Sequence, residues 1–183
     1  CNTFRSTSDH TNTKELTISQ LRDKVTAINH KLESDTTSNL LYQKGSYLIK
    51  LAQKNQYPQK RTPIYVNARN NLHEATKRSG NTPDSLKENI QELLNVNWSR
   101  EHNSGVQLIQ SDSTIENQDY LRAAAHFNNA TAIIPDSAIS YKMGARAYYQ
   151  SQHHDRAIGM LKEAQKRLNN MPVELLEQLA FLY

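Results

Sequence analysis

The chain has 183 residues, of which 37% are hydrophobic and 22% charged, and its net charge is +4 at pH 7. This length suits one domain of ordinary size, and the low hydrophobic fraction is tolerable in an elongated helical array that buries only the seams between neighbouring helices. The basic residues occur as scattered pairs without a nucleic-acid-binding motif, and no apolar run reaches membrane-spanning length. We therefore expect neither a nucleic-acid partner nor a transmembrane helix.

The only cysteine is the first residue, Cys1, and a polar stretch rich in Ser, Thr and Asn follows it. This start resembles the mature form of bacterial lipoproteins, in which the N-terminal cysteine carries a diacylglycerol. The resemblance implies a covalent lipid on Cys1, attachment to the membrane through that anchor and a place in the bacterial cell envelope, most simply at the outer membrane. Residues 1–16 would then be a flexible tether. Removal of an initiator Met, or trimming of a longer chain, would also leave Cys first.

Residues 17–97 predict an N-terminal helical region. A first helix is expected from Thr17 or Ser19, because its apolar residues alternate spacings of three and four. These residues are Ile18, Leu21, Val25, Ile28 and Leu32. Fewer than three heptads are available, which favours a helix that caps its neighbour over a coiled-coil dimer. A second helix is expected over residues 38–54, followed by a loop over residues 55–61.

Two helix starts share one motif. Thr62-Pro63 and Thr82-Pro83 each place a capping hydroxyl before a proline at the first helical position, and Ser79-Gly80-Asn81 between them indicates a helix stop. Residues 82–110 form either one helix or two with a break near residues 95–97. The polar residues 111–118 predict a loop.

A set of three small and bulky residues recurs after 34 positions near the C-terminal end. The two sets are Ala123, Phe127 and Ala130, and Ala157, Leu161 and Ala164. This spacing resembles the tetratricopeptide (TPR) family over residues 98–183, with the last repeat incomplete. The resemblance implies an all-α fold of antiparallel helix pairs that stack as a right-handed solenoid, and it assigns Gly105, Ala145 and Tyr148 to packing as well.

An earlier, degenerate copy is predicted over about residues 40–78. Tyr65, Ala68, Leu72 and Ala75 repeat the Tyr-x-x-Ala-x-x-x-Leu-x-x-Ala spacing. An ordinary amphipathic helical hairpin would also explain this pattern.

The family resemblance also implies a concave surface for a bound peptide, lined by the first helix of each repeat. Its positions here are Ser99, His102, Asn103, Val106, Gln110, Lys142, Arg146, Tyr149 and Gln150. Asn103, Lys142 and Arg146 come nearest to a clamp for a peptide carboxylate, but His102 stands where that clamp has Lys. Simple solvation of an exposed helix face explains Lys142 and Arg146 equally well.

No motif for catalysis or metal binding accompanies these residues. The adjacent His153 and His154 lack a partner at metal-ligand spacing and are expected in a turn, with Asp155 capping the next helix. A nucleophile elbow, a phosphate loop and a dinucleotide fingerprint are all absent from the sequence. We therefore expect no enzyme, no catalytic or metal-ligating residue, and no cofactor besides the lipid.

The leading functional hypothesis is a lipid-anchored TPR scaffold that binds a protein partner in the cell envelope. One alternative is a glycan-capturing surface lipoprotein, although the only tryptophan is Trp98. Another is a structural subunit that self-associates through its open C-terminal end, because residues 179–183 are almost entirely apolar. This run predicts that the chain continues past Tyr183 or that a partner covers this end.

Overall fold

The computed structural model describes residues 15–78, 83–110 and 114–182. These residues form eight α-helices and one short 3₁₀ turn, Pro58–Lys60, and they contain no β-strand. The helices are α1 (Ile18–Ser34), α2 (Ser38–Gln53), α3 (Thr62–Lys77), α4 (Asp84–Ile109), α5 (Asn117–Ile133), α6 (Ala138–Gln150), α7 (His154–Arg167) and α8 (Val173–Phe181). The all-α prediction is confirmed. Cys1, most of the predicted tether, the predicted stop at residues 79–81 and the predicted cap Thr82 lie outside the described residues. The prediction that Pro83 is the first helical residue is wrong, because α4 begins at Asp84 and Pro83 is its N-cap residue.

Most helices pack against their neighbours in the chain. Contacts join α1 to α2, α2 to α3, and then α4 to α5, α5 to α6, α6 to α7 and α7 to α8. The main departure is α3, which packs on α5 more extensively than on α4. We call α2 and α3 the N-terminal hairpin. The α3–α5 contact therefore joins this N-terminal hairpin to the C-terminal helices.

The first two helices begin close to their predicted starts. The Thr17 hydroxyl accepts a hydrogen bond from the Gln20 N–H, and the Gln20 side chain accepts one from the Thr17 N–H. This reciprocal pair satisfies two of the backbone donors that a helix start leaves open. Thr37 caps α2 in the simpler way, through the Leu40 N–H. Just before α1, Glu15 lies within the predicted tether and forms an ion pair with Lys54, the C-cap residue of α2, at 3.0 Å.

The prediction that Thr62 caps α3 is wrong. Residues 55–61 are not wholly a loop, because Pro58–Lys60 forms a 3₁₀ turn that leaves Arg61 with helical backbone angles. Thr62 is therefore the first helical residue, and its hydroxyl donates to Asn129 Oδ1 on α5 at 2.7 Å. The side chain thus connects two helices instead of closing one.

Three other boundaries differ from expectation or settle an open choice. Asp155 does not cap α7, because the helix begins one residue earlier at His154 and makes no side-chain cap. The predicted loop at residues 111–118 overlaps the start of α5, which begins at Asn117. Residues 82–110 were expected to form either one helix or two. The structure has a single helix there, α4, which runs unbroken for 26 residues.

The interior consists of two clusters of buried side chains that meet along α4. One cluster includes Leu41, Ile49, Tyr65 and Leu72 of α2 and α3, with Trp98 of α4 packed against it. The other lies among α5, α6, α7 and α8, and the C-terminal part of α4 packs on it. The long helix α4 therefore contributes to both.

The residues assigned to repeat packing are all buried. They are Gly105, Ala123, Phe127, Ala130, Ala145, Tyr148, Ala157, Leu161 and Ala164. At Gly105 a Cβ atom would lie 2.9–3.1 Å from atoms of the Phe127 ring, so only hydrogen fits between α4 and α5. At Gly144, which the sequence did not indicate, a Cβ atom would meet the flexible end of the Met160 side chain and lie 3.1 Å from Phe127 Cβ. Small residues thus let α4, α5, α6 and α7 approach closely.

Within the described ranges, no helix is both long enough and apolar enough to cross a membrane.

The first prediction tests this close approach at Ala157, which has no exposed surface. We expect Ala157→Leu to lower the free energy of unfolding by about 1–3 kcal/mol, because added methyl groups overpack the crossing. Urea unfolding followed by circular dichroism measures the change. The control is Gly159→Ala in the same helix, where the added Cβ meets nothing within 4 Å. That variant should gain about 0.5–1 kcal/mol. An Ala157→Leu protein as stable as the parent would contradict the close crossing.

Candidate functional site

The nine predicted groove residues differ in their exposure. On and just after α4, His102 is buried, Ser99 and Val106 are half-buried, and Asn103 and Gln110 are exposed. On α6, Arg146 and Gln150 are exposed while Lys142 and Tyr149 are half-buried. Of the nine, Arg146 and Tyr149 line a common cleft. Asn103 and Lys142, the other two residues of the carboxylate clamp, are not part of its lining.

His102 lies in the interior between α4, α5 and α6. Its ring stacks on Trp98 at 5.1 Å and meets Phe127 edge-on at 5.3 Å. Its Nδ1 lies 3.0 Å from the Ser140 hydroxyl, and burial lowers the pKa of the imidazole. The Trp98 indole N–H donates to the Ser137 and Ser140 hydroxyls at 3.0 and 3.1 Å. Both rings therefore contribute to the packing between these helices.

The common cleft lies between α6, α7 and α8 and has a volume of about 560 Å³. Ala145 and Leu161 form its apolar floor, and both are buried. Arg146 from α6 and Glu174 and Glu177 from α8 supply charges of opposite sign at its rim. Among the described residues, none of these three charges takes part in an ion pair.

Aromatic contacts fix one wall of this cleft. The Tyr149 ring meets His154 edge-on at 5.0 Å and Phe181 edge-on at 5.8 Å. Phe181 nevertheless keeps 74% of its surface exposed. His153 Nδ1 contacts the Ser151 carbonyl at 2.7 Å, so the two adjacent histidines have separate structural contacts. No group of three metal-ligating side chains occurs in the described part of the chain.

Gln178 of α8 is an uncharged polar residue that lines the cleft. Its Oε1 is buried and has no hydrogen-bond partner among the described residues. A buried acceptor without a donor costs about 1–3 kcal/mol. A ligand N–H group would reach this oxygen after the Gln178 side chain turns into the cleft, and the hydrogen bond would then recover that free energy.

A second polar site lies deeper, around the carboxylate of Glu101 on α4, which has no exposed surface. Its Oε1 accepts from Arg61 Nη1 at 2.9 Å and from the Tyr65 hydroxyl at 2.8 Å. Its Oε2 accepts from Asn129 Nδ2 at 3.0 Å and lies 2.7 Å from His126 Nδ1. An ionised carboxylate only accepts, so His126 carries its proton on Nδ1.

The donors decide the protonation state of Glu101. Burial acts to raise the pKa of this carboxyl group, but the hydrogen bonds from His126, Asn129 and Tyr65 and the nearby His126 ring lower it to about 2. Burial and the adjacent Glu101 charge raise the pKa of Tyr65, which therefore stays a donor. Glu101 is ionised across the whole neutral range, and its four donors bind α3 and α5 to α4.

This network was not predicted from the sequence. One signal was present: Glu101 lies four residues before Gly105, so both share the helix face that was expected to be buried. The spacing of Arg61 and Tyr65 likewise places both on one face of α3. Nothing in the sequence indicated which buried polar residues would meet.

The chain matches no family model, and it has no significant match among curated proteins or among solved structures. The TPR resemblance of residues 98–183 and the lipoprotein resemblance of Cys1 therefore rest on the sequence motifs themselves.

The second prediction concerns acid. The pKa of Glu101 is depressed from 4.5 to about 2 in the folded protein, so its contribution to stability is complete above pH 4.5 and is lost as the pH falls towards 2. The shift corresponds to on the order of 3 kcal/mol. We expect Glu101→Gln to be less stable than the parent at pH 7, with the difference shrinking between pH 4.5 and 2.

Urea unfolding at a series of pH values measures this difference. The control is Glu74→Gln, which removes an exposed i,i+4 partner of Arg78 and should change stability by less than about 1 kcal/mol. A stability difference between Glu101→Gln and the parent that does not vary below pH 4.5 would show that the buried carboxylate is not held ionised.

Proposed function

We propose that the protein is a helical-repeat scaffold that holds a segment of a partner protein in the cleft between α6, α7 and α8. The observation that carries this proposal is the buried, unpartnered Gln178 Oε1 beside an apolar floor. A peptide can supply both a donor for this oxygen and apolar groups for the floor, because its backbone offers N–H donors and its side chains offer apolar groups.

The rim favours a peptide over an apolar small molecule. Arg146 faces the same cleft as Glu174 and Glu177, so groups of either charge find a partner there. The volume of about 560 Å³ lies within the range of roughly 300–1,000 Å³ that is typical of ligand sites. It accommodates a few side chains of a longer segment, while the rest of the partner would lie outside.

Within this proposal, the lipid on Cys1 supplies location and the cleft supplies recognition. The protein would stand in the bacterial cell envelope as an adaptor with no chemistry of its own. The TPR arrangement of residues 98–183 as a right-handed solenoid belongs to the same proposal, and the burial of its packing residues supports it.

Self-association is a second candidate, because α8 exposes large apolar side chains. Phe181, Val173 and Leu176 keep 74%, 65% and 44% of their surfaces exposed. A second copy that covers this face would account for them as well as a peptide would. Light scattering over a range of protein concentrations distinguishes the peptide site from self-association. A monomer favours the peptide site. A dimer that the Phe181→Asp substitution dissociates into monomers favours self-association.

The third prediction tests Gln178 directly with Gln178→Met, which keeps the shape of the side chain and removes the acceptor. The free protein should be at least as stable as the parent, since an unpartnered buried oxygen is gone. Its affinity for a peptide selected on the parent from a random displayed library should fall about twofold to tenfold. Calorimetric titration measures the affinity. Gln165→Met, on the exposed side of α7, is the control and should bind as the parent does. Unchanged affinity in Gln178→Met would refute the hydrogen bond to the ligand.

The fourth prediction concerns the anchor. Protein purified from its native source should show a diacylglyceryl addition in intact-mass measurement, and Cys1→Ser should abolish it. A precursor reading frame without an apolar segment ending in small residues before Cys1 would contradict lipidation.

A further inference from the structure

A second cleft lies on another part of the molecule, among α3, the first half of α4, the turn between α5 and α6, and the end of α7. Its volume is about 600 Å³. Its lining holds three cationic side chains, Arg69, Lys87 and Arg167, against one carboxylate, Asp136. The peptide cleft has no residue in common with this one, so an inference about it does not depend on the proposed function.

Arg69 is the central cation. It is half-buried, and its Nη1 donates to the Ala132 carbonyl while its Nη2 donates to Asn70 Oδ1, both at 3.1 Å. Neither acceptor carries a full charge, and no described carboxylate pairs with Arg69. The guanidinium therefore caps a backbone carbonyl in the last turn of α5, but it has no carboxylate partner among the described residues.

The surroundings make this lack costly. Burial, followed by the positive charge of Arg167, lowers the pKa of Arg69. Arg167 itself pairs with Glu163 at 2.8 Å, and Lys87 pairs with Asp84 at 3.2 Å. The other two cations thus have carboxylate partners of their own, whereas Arg69 forms no ion pair among the described residues, and Asp136 is the one carboxylate in the lining.

The floor beneath these charges is apolar. Ile90 of α4 and Ile133 of α5 are buried, and Leu94 and Ile134 beside them are half-buried. Charge and floor together define the chemistry that fits: an anionic group for Arg69 and Arg167, and a hydrocarbon body for the isoleucine and leucine side chains.

We propose that this cleft binds a small amphiphilic anion, with its carboxylate or phosphate group at Arg69 and Arg167 and its apolar body on Ile90 and Leu94. Binding of the anionic headgroup by guanidinium groups would explain why both Arg69 and Arg167 line this cleft. The apolar floor would favour an anion that carries a hydrocarbon body over an inorganic anion that has none.

The test uses the folded chain and four probes in calorimetric titration: octanoate, octyl phosphate, octanol and acetate. Octanoate or octyl phosphate should bind saturably at one site, and the tighter of the two identifies the headgroup. Octanol lacks the charge and acetate lacks the body, so both should bind at least about tenfold more weakly. Raising the salt concentration should weaken binding of the charged probes.

Two variants locate the site. Arg69→Gln and Arg167→Gln should each weaken binding of the preferred probe about tenfold, as expected for loss of a charge-assisted hydrogen bond. Arg167 is exposed, so its variant keeps the test valid if Arg69→Gln fails to fold. Arg78→Gln, which removes an exposed cation beyond the end of α3, is the matched control and should bind normally. The proposal is overturned if no charged probe binds saturably, if octanol binds as tightly, or if Arg167→Gln binds like the parent.

Discussion

The carboxylate of Glu101 is the constraint on which the rest of the structure depends. It sits on the longest helix, has no exposed surface and receives hydrogen bonds from α3 and α5 on both sides. Asn129 extends the network, since its amide also donates to the Pro58 carbonyl and its Oδ1 accepts from Thr62. A buried charge that loses one partner is expensive, at roughly 3–5 kcal/mol, so the arrangement tolerates little movement between these helices.

This junction connects the helices of the two core clusters. The N-terminal hairpin has few contacts with α4 and attaches mainly through α3 and the 3₁₀ turn on α5. Every member of the Glu101 network lies at that attachment. Polar groups that must all be satisfied together fix one relative placement of the helices, where apolar surfaces alone would allow sliding. Up to Leu182, where the described residues end, the C-terminal end has no comparable network: α8 holds one buried residue, Leu175, and contacts mainly α7.

The helices and their small-residue crossings could be predicted from the sequence, because period and residue size act locally. The spacing of Ala123, Phe127 and Ala130 identified a buried face, and all three are buried. The polar sites could not be predicted, because they depend on which distant residues meet. Glu101 draws its donors from residues 25 to 40 positions away. Of the nine predicted groove residues, Arg146 and Tyr149 share a cleft, while His102 is taken up by packing with Trp98 and Phe127.

Native-state hydrogen exchange tests the central claim most directly, namely that the Glu101 junction makes α3, α4 and α5 one cooperative unit and leaves α8 adaptable. Amides in the middle of α3, α4 and α5 should open together, with the largest free energy of opening among the helices, and α8 should open at a lower free energy. In Glu101→Gln, the three helices should lose protection together while α8 is unaffected. If α3 opens independently of α4 and α5 in the parent protein, or if α8 is as protected as they are, the Glu101 junction does not make these three helices one cooperative unit.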